Sequence, residues 1–128
     1  MRVHNPRFLR TATIAAIAVG VVVTGCSAKK SEPGGTQISV DATDTGCALS
    51  AVEGPRGTTT FVITNNGAKV TEFYVYADGG GVLGEAENIS PGLQRELTVD
   101  LTEPRAYQVA CKPGMVGDGI RSTFTVKG

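Results

Sequence analysis

Alternation of inward-facing and outward-facing residues from Ile38 to the C-terminus is the feature that most limits the fold. Such period-two alternation gives a strand one face on a core and one in water. Gly, Pro, Asn and Asp cluster between the runs, as in turns. The pattern predicts one all-β domain over residues 38–128, an antiparallel sandwich or barrel. The inward-facing positions are Ile38, Val40, Phe61, Ile63, Phe73, Val75, Leu97, Val99, Leu101, Tyr107, Val109, Cys111, Ser122, Phe124 and Val126.

The N-terminal segment carries the marks of a secretion signal. Three arginines lie in the first ten residues, an apolar stretch follows over residues 11–23, and small residues precede Cys26. Thr24-Gly25-Cys26 resembles the lipobox of bacterial lipoproteins, which implies cleavage before Cys26, a diacylglycerol on its sulfur and an acyl group on its amine. The apolar stretch is shorter than the roughly 20 residues that cross a bilayer. We therefore predict a signal peptide over residues 1–25 and a protein lipid-anchored to the extracytoplasmic face of the cell membrane.

The segment after the lipidated cysteine is short and polar. Residues 26–37 contain Gly, Pro, Ser and Lys and no long apolar side chain, a composition typical of a flexible tether. We expect this tether to hold the domain of residues 38–128 away from the membrane.

Removal of the signal peptide would change the net charge of the protein and remove its only histidine. The chain has 12 Lys and Arg against 12 Asp and Glu, and its three N-terminal arginines leave with the signal, so nine basic groups face twelve acidic ones. The basic residues are scattered, which argues against a nucleic-acid partner. His4 is the only histidine. The mature protein therefore has no imidazole base, no Ser-His-Asp or Cys-His pair and no His-ligated metal.

Two cysteines remain beyond Cys26. Cys47 and Cys111 form an even pair in an oxidising compartment, which favours a disulfide. The loop it would close corresponds to a stabilisation of about 4 kcal/mol on the chain-entropy model. Two thiolates on a soft metal such as copper are the alternative, and the cysteine count does not separate the two. No CxxC motif is present, so disulfide-exchange catalysis is not expected.

The C-terminal region is similar to the signature of the cupredoxin family. Residues 107–111 read Tyr-x-x-x-Cys and precede a Gly-rich loop and a closing strand, while residues 61–67 lead to Glu72. In cupredoxins such a Cys binds copper with two histidines, and the fold is a Greek-key sandwich. Here Glu72 and Gly114 stand near the expected His positions, with Met115 beside the latter. The resemblance implies the cupredoxin fold, and the missing histidines argue against a blue-copper centre.

One cupredoxin subgroup resembles the chain over nearly the whole domain, namely the domain at the N-terminus of EfeO, a component of bacterial iron uptake. The shared features are Cys47, Glu72-Phe73, the string Glu85–Gly92 and Tyr107–Cys111. The resemblance implies metal uptake or handling, with iron or copper bound and an iron-uptake permease or a peroxidase-type protein as partner. Gly84 is a departure, since relatives often have a further acid there.

The candidate ligands fall into two chemical sets. Cys47, Cys111 and Met115 suit copper, and carboxylates suit ferrous or ferric iron. Two acids spaced by two residues project from the same face of a strand and could share a cation. The structural alternatives are solvated acids on an edge strand, a Glu72–Lys69 pair, a loop-packing Met115 and a turn residue at 118. The carboxylate candidates are Glu72, Glu85, Glu87 and Asp118.

Together these features predict a membrane-anchored, extracytoplasmic cupredoxin-like lipoprotein that binds iron or copper. The enzyme-class alternative is a ferroxidase that oxidises iron at a copper centre before uptake. The remaining alternative is a disulfide-stapled, metal-free domain that docks on a membrane partner.

Overall fold

The computed structural model describes residues 35–128, which form nine strands in two packed sheets. The predicted signal, Cys26 and most of the tether lie outside the described residues. Short 3-10 turns occupy Asp78–Gly80 and Pro113–Met115. No helix in residues 35–128 is long and apolar enough to span a membrane. The strands are β1 (Thr36–Ala42), β2 (Cys47–Leu49), β3 (Glu53–Gly54), β4 (Gly57–Asn65), β5 (Thr71–Tyr76), β6 (Val82–Ile89), β7 (Gln94–Leu101), β8 (Ala106–Cys111) and β9 (Ile120–Val126).

The strands form the predicted Greek-key β-sandwich. One sheet has the order β2-β1-β4-β7 and the other β3-β9-β8-β5-β6. Five of the seven pairings are antiparallel, and β1–β4 and β3–β9 are parallel. The parallel pairs arise because the chain crosses between the sheets after β2 and after β3, so β4 returns beside β1 in the same direction. The period-two pattern did not predict β2 and β3, which are too short to alternate.

The predicted inner faces meet in one core. The rings of Phe61, Phe73 and Phe124 are fully buried, with the Phe61 centroid 5.3 Å from Phe73 and 5.8 Å from Phe124. Such offset contacts add to the burial of apolar area. Val62 and Tyr76 were expected on outer faces, and both are nevertheless buried. Tyr76 is covered because the Arg121 guanidinium lies 4.8 Å from its ring centroid.

The tyrosine of the Tyr-x-x-x-Cys signature has a structural role. The Tyr107 hydroxyl donates a hydrogen bond to the Glu103 carbonyl at 3.1 Å, and the Arg105 guanidinium lies 4.3 Å from its ring. A tyrosine tied to backbone just upstream fixes the corner by which a sandwich strand enters its sheet. This corner sets the start of β8 and hence the position of Cys111 at its end.

Candidate functional site

Cys47 and Cys111 are joined in a disulfide that links the two sheets. Cys47 opens β2 in one sheet, Cys111 ends β8 in the other, and their Cα atoms are 5.5 Å apart. Both residues are buried in the hydrophobic core. The predicted proximity is confirmed, and of the two alternatives the structure has the disulfide. The thiolate alternative, with both sulfurs as metal ligands, does not apply to this state because neither sulfur is free.

The disulfide lies beside an open groove between β2, β3 and β9. The groove has a volume of about 540 Å³. At its floor the Ser122 hydroxyl donates a 2.6 Å hydrogen bond to the Cys47 carbonyl and ties β9 to β2. This bond and the disulfide close the same corner of the sandwich. The groove is lined by Cys47, Ala48, Leu49, Val52, Glu53, Ser122, Thr123 and Thr125.

Three of the four carboxylate candidates, Glu72, Glu85 and Glu87, lie on the outer face of the β5–β6 pair. The Tyr74 hydroxyl donates a 3.0 Å hydrogen bond to Glu72 Oε2. Tyr74 stands opposite Glu85 in the β5–β6 register. Glu85 and Glu87 are both exposed, with the buried Ala86 between them, so they project from one face as predicted. We call Glu72, Tyr74, Glu85 and Glu87 the acidic face.

Tyr74 is the member of the acidic face whose pKa is shifted by its surroundings. The pKa of Tyr74 is raised from 10.0 to about 12. Desolvation is the largest cause, followed by the hydrogen bond to Glu72 and the negative charges of Glu72, Glu85 and Glu87. A phenolate would add charge beside three carboxylates, so the phenol keeps its proton.

A β-bulge shapes this face. Thr71 pairs with Ile89 and Phe73 with Ala86, so Glu87 and Asn88 both stand opposite Glu72. Asn88 has φ 55°, in the left-handed region that non-glycine residues seldom adopt. Bulges re-aim side chains and blunt exposed sheet edges. The bulge lies within the Glu85–Gly92 string, and the alternation pattern alone did not predict it.

Cations flank the acidic face on the β8 side. The Lys112 Nζ lies 4.1 Å from the Tyr74 ring centroid, and the Tyr74 and Tyr76 rings are stacked with centroids 5.8 Å apart. The stacked Tyr74 and Tyr76 rings therefore cover part of the outer face of β5. The expected alternative for Glu72 was a pair with Lys69, but its partner is Tyr74. The ion pairs found within residues 35–128 involve other side chains.

The remaining predicted ligands lie on the loop between β8 and β9. Met115 ends a 3-10 turn with φ 56°, and its side chain is 41% exposed. Asp118 is exposed between two glycines in the left-handed region, as a turn residue would be. Within residues 35–128, no three His, Cys, Asp or Glu side chains are grouped closely enough to hold a metal ion. The acidic face is therefore a set of neighbouring donors rather than an assembled cage.

Two polar residues that sequence reasoning missed hold the loop leading to Glu72. Asn65 is buried, and its Nδ2 donates to the Lys69 carbonyl at 2.8 Å and to the Ile89 carbonyl at 2.7 Å. The Asp44 carboxylate accepts hydrogen bonds from the backbone N–H groups of Ala68 and Lys69 at 3.1 Å. These bonds fix the start of β5 against the end of β6. The Asn-Asn-Gly turn was recognisable, but its long-range partners were not.

Gly84 is required by close packing between β6 and β7. A Cβ at this position would lie 2.6 Å from Val99 Cγ1 and 3.2 Å from Leu97 Cδ1. An acid at position 84 would therefore point between the sheets, away from the acidic face. The absence of an acid at position 84 therefore does not alter the outward-facing carboxylates.

The sequence matches the model of a known protein family. The model of the cupredoxin-like domain matches residues 14–126. The chain belongs to the cupredoxin-like family. The two-sheet sandwich described above is thus a cupredoxin-like domain.

Curated relatives of this cupredoxin-like chain are iron-uptake proteins. It is 33% identical over 75 residues to the iron uptake system component EfeO of Escherichia coli K12, an alignment that covers 59% of this chain. The same protein of Shigella flexneri matches equally well. The chain spans about a fifth of the length of these relatives.

Solved structures agree on the fold. Auracyanin of Roseiflexus castenholzii has a TM-score of 0.57 at 18% identity, covering 73% of this chain and 98% of that one. Auracyanin A of Chloroflexus aurantiacus, described as a "blue" copper protein, has a TM-score of 0.55 at 15% identity, covering 73% of this chain and 100% of that one. These likenesses place the cupredoxin-like sandwich of this chain among cupredoxin folds.

Proposed function

We propose that this chain is a membrane-anchored, extracytoplasmic cupredoxin-like module of metal uptake, and that its acidic face binds iron. The similarity to EfeO supports iron as the cargo. The observation that carries the site is the hydrogen bond from the Tyr74 hydroxyl to Glu72 Oε2, with Glu85 opposite Tyr74 in the strand register. Desolvation is the largest cause of the raised Tyr74 pKa of about 12, and the hydrogen bond and the charges of the nearby carboxylates add to it. Hard cations such as ferrous and ferric iron prefer oxygen donors of this kind.

The arrangement suits transfer more than storage. Glu85 and Glu87 are exposed on an edge strand, so a cation bound there stays accessible to a partner. No closed cage of ligands is assembled among residues 35–128, and reversible binding needs none. The module would collect iron and pass it to a partner of the permease or peroxidase type at the membrane.

The anchor is proposed from the lipobox-like sequence around Cys26. β1 begins at Thr36, and its far end, Ala42, pairs with Cys47 beside the disulfide. A tether entering at Thr36 would hold the domain by the end opposite the disulfide and leave the loops around Met115 free. Replacing Cys26 with Ala should release the protein from membranes or leave the uncleaved precursor, and an intact mass showing unmodified Cys26 in membrane-bound protein would contradict the anchor.

Iron titration of the full chain in detergent tests the site. Replacing Glu85 and Glu87 together with Gln should weaken iron binding at least several-fold and leave the fold intact, because exposed strand positions tolerate such changes within about 0.5 kcal/mol. The matched control replaces Glu96 and Glu103 with Gln, which removes the same charge from exposed positions on β7 and on the loop before β8. Equal affinity in the two double variants would remove the acidic face from the site.

A second function is favoured by the disulfide. A sandwich closed by a covalent staple needs no metal to fold and could serve as a docking domain for a membrane partner. Absence of measurable iron affinity in the parent chain would favour this scaffold role.

A further inference from the structure

Cys111 occupies the position of the signature cysteine in the cupredoxin-like fold. Cys111 ends β8, the strand before the last, and follows Tyr107 by four residues. In the family signature the cysteine at this point binds copper. Here its sulfur is bonded to Cys47, and Cys111 is fully buried while Cys47 is 6% exposed. A disulfide sulfur is neutral, so Cys111 lacks the anionic thiolate that would bind copper at this position.

No other donor set in the described domain replaces that thiolate. Copper sites of the cupredoxin type rely on imidazole and thiolate ligands. Residues 35–128 contain no histidine, and Met115 is their one remaining sulfur donor outside the disulfide. A lone thioether that is 41% exposed on a loop gives a weak site. The residues present therefore do not fit a copper centre.

The disulfide also holds the two sheets together at this end of the sandwich. In register, Cys47 stands beside Ala42 on β1, and Cys111 stands between Phe73 and Ile120. Ala42 and Phe73 are fully buried. The bond thus joins the two sheets inside the core, and Ser122 adds the hydrogen bond to the Cys47 carbonyl. Nothing at this end requires a metal to hold the strands in place.

We infer that the Cys47–Cys111 disulfide has replaced the copper centre in this cupredoxin-like domain, so the oxidised protein binds no copper at Cys111 and has no copper-based electron transfer there. The inference is independent of iron binding at the acidic face, which uses a different set of residues on the other side of the sheet. It assigns the two cysteines to structure alone.

Copper titration of the full chain, purified in detergent without reductant, tests the inference. The control is the double variant with Cys47 and Cys111 replaced by Ser, which keeps Cys26, Met115 and every carboxylate. The oxidised parent and the variant should bind copper equally, and neither should show sulfur-to-copper charge-transfer absorption. The state of the parent is fixed beforehand by alkylation and intact mass, which need no variant and should find the two cysteines unalkylated.

Two results would overturn the inference. One is copper bound by the disulfide-containing parent beyond that of the variant, with charge-transfer absorption. The other is alkylation of both cysteines in protein isolated without reductant, which would mean that the thiols are free in the native state. If the Ser variant does not fold, the alkylation result and the absorption spectrum of the parent still decide. Unchanged iron affinity in either event would leave the proposed function standing.

Discussion

The Cys47–Cys111 disulfide and the acidic face lie on opposite sides of the sheet that contains β5, β6 and β8, and they differ in chemistry. On β5 and β8, Phe73 stands opposite Cys111 and both side chains are buried, while the neighbouring Glu72 and Tyr74 point outward. The two cysteine sulfurs are thus enclosed and bonded to each other, and the carboxylates of the acidic face lie on the outer side. The alternation of a strand alone separates structural residues from chemically available ones. The iron site proposed above therefore uses the exposed oxygen donors and not the bonded sulfurs.

The largest expected effect is the loss of stability when the Cys47–Cys111 disulfide is removed. Replacing both Cys47 and Cys111 with Ala should lower the free energy of unfolding by about 4 kcal/mol, because the bond closes a loop with a sequence separation of 64 residues. Urea denaturation of the oxidised parent and the variant measures this. Reduction of the parent should produce a comparable loss. A variant as stable as the parent would show that the disulfide does not hold the sheets together.

A smaller loss of stability is expected at Gly84, the inward-facing position of β6 next to the outward-facing Glu85. Replacing Gly84 with Glu should destabilise the domain by about 3 kcal/mol, since the new side chain meets Val99 and Leu97 and its carboxylate loses water. The neighbouring change of Glu85 to Gln should stay within about 0.5 kcal/mol. Equal stabilities of the two variants, measured by the same denaturation, would contradict the assignment of faces on β6.

The smallest expected effect is on the pKa of Tyr74 in the acidic face, and it leaves the fold at neutral pH unchanged. Replacing Glu72 with Gln should lower the pKa of Tyr74 from about 12 towards 10, because the variant lacks the charge that opposes the phenolate. Ultraviolet titration measures this pKa, and a Tyr74→Phe variant identifies which transition belongs to Tyr74. An unchanged pKa would mean that Glu72 does not act on the phenol.

The same shift predicts how stability depends on alkaline pH. The folded-state pKa of Tyr74 is above its unfolded value, so its contribution to stability is complete below about pH 10 and is lost as the pH rises towards about 12. The Tyr74→Phe variant should lose less stability over that interval than the parent. An equal loss in both would assign alkaline unfolding to other groups.

Sequence reasoning identified the sandwich because inner and outer residues such as Phe73 and Tyr74 alternate over long strands. It also grouped Glu85 with Glu87 and Cys47 with Cys111. It could not choose between disulfide and thiolates, since that choice depends on the approach of β2 to β8 across the sheets. The bulge at Asn88 and the contacts of Asn65 and Asp44 were missed for a related reason. Each depends on partners on another strand or loop, and the contacts of Asn65 and Asp44 reach residues 24 positions away along the chain.

X-ray absorption spectroscopy of the iron-loaded full chain tests the central claim most directly, because it reports the atoms bound to the metal. We expect iron surrounded by oxygen alone, with the same spectrum when Cys47 and Cys111 are replaced by Ser. Sulfur in the first coordination shell of the parent that disappears in that variant would contradict it, and would return the metal from the acidic face to the cysteines.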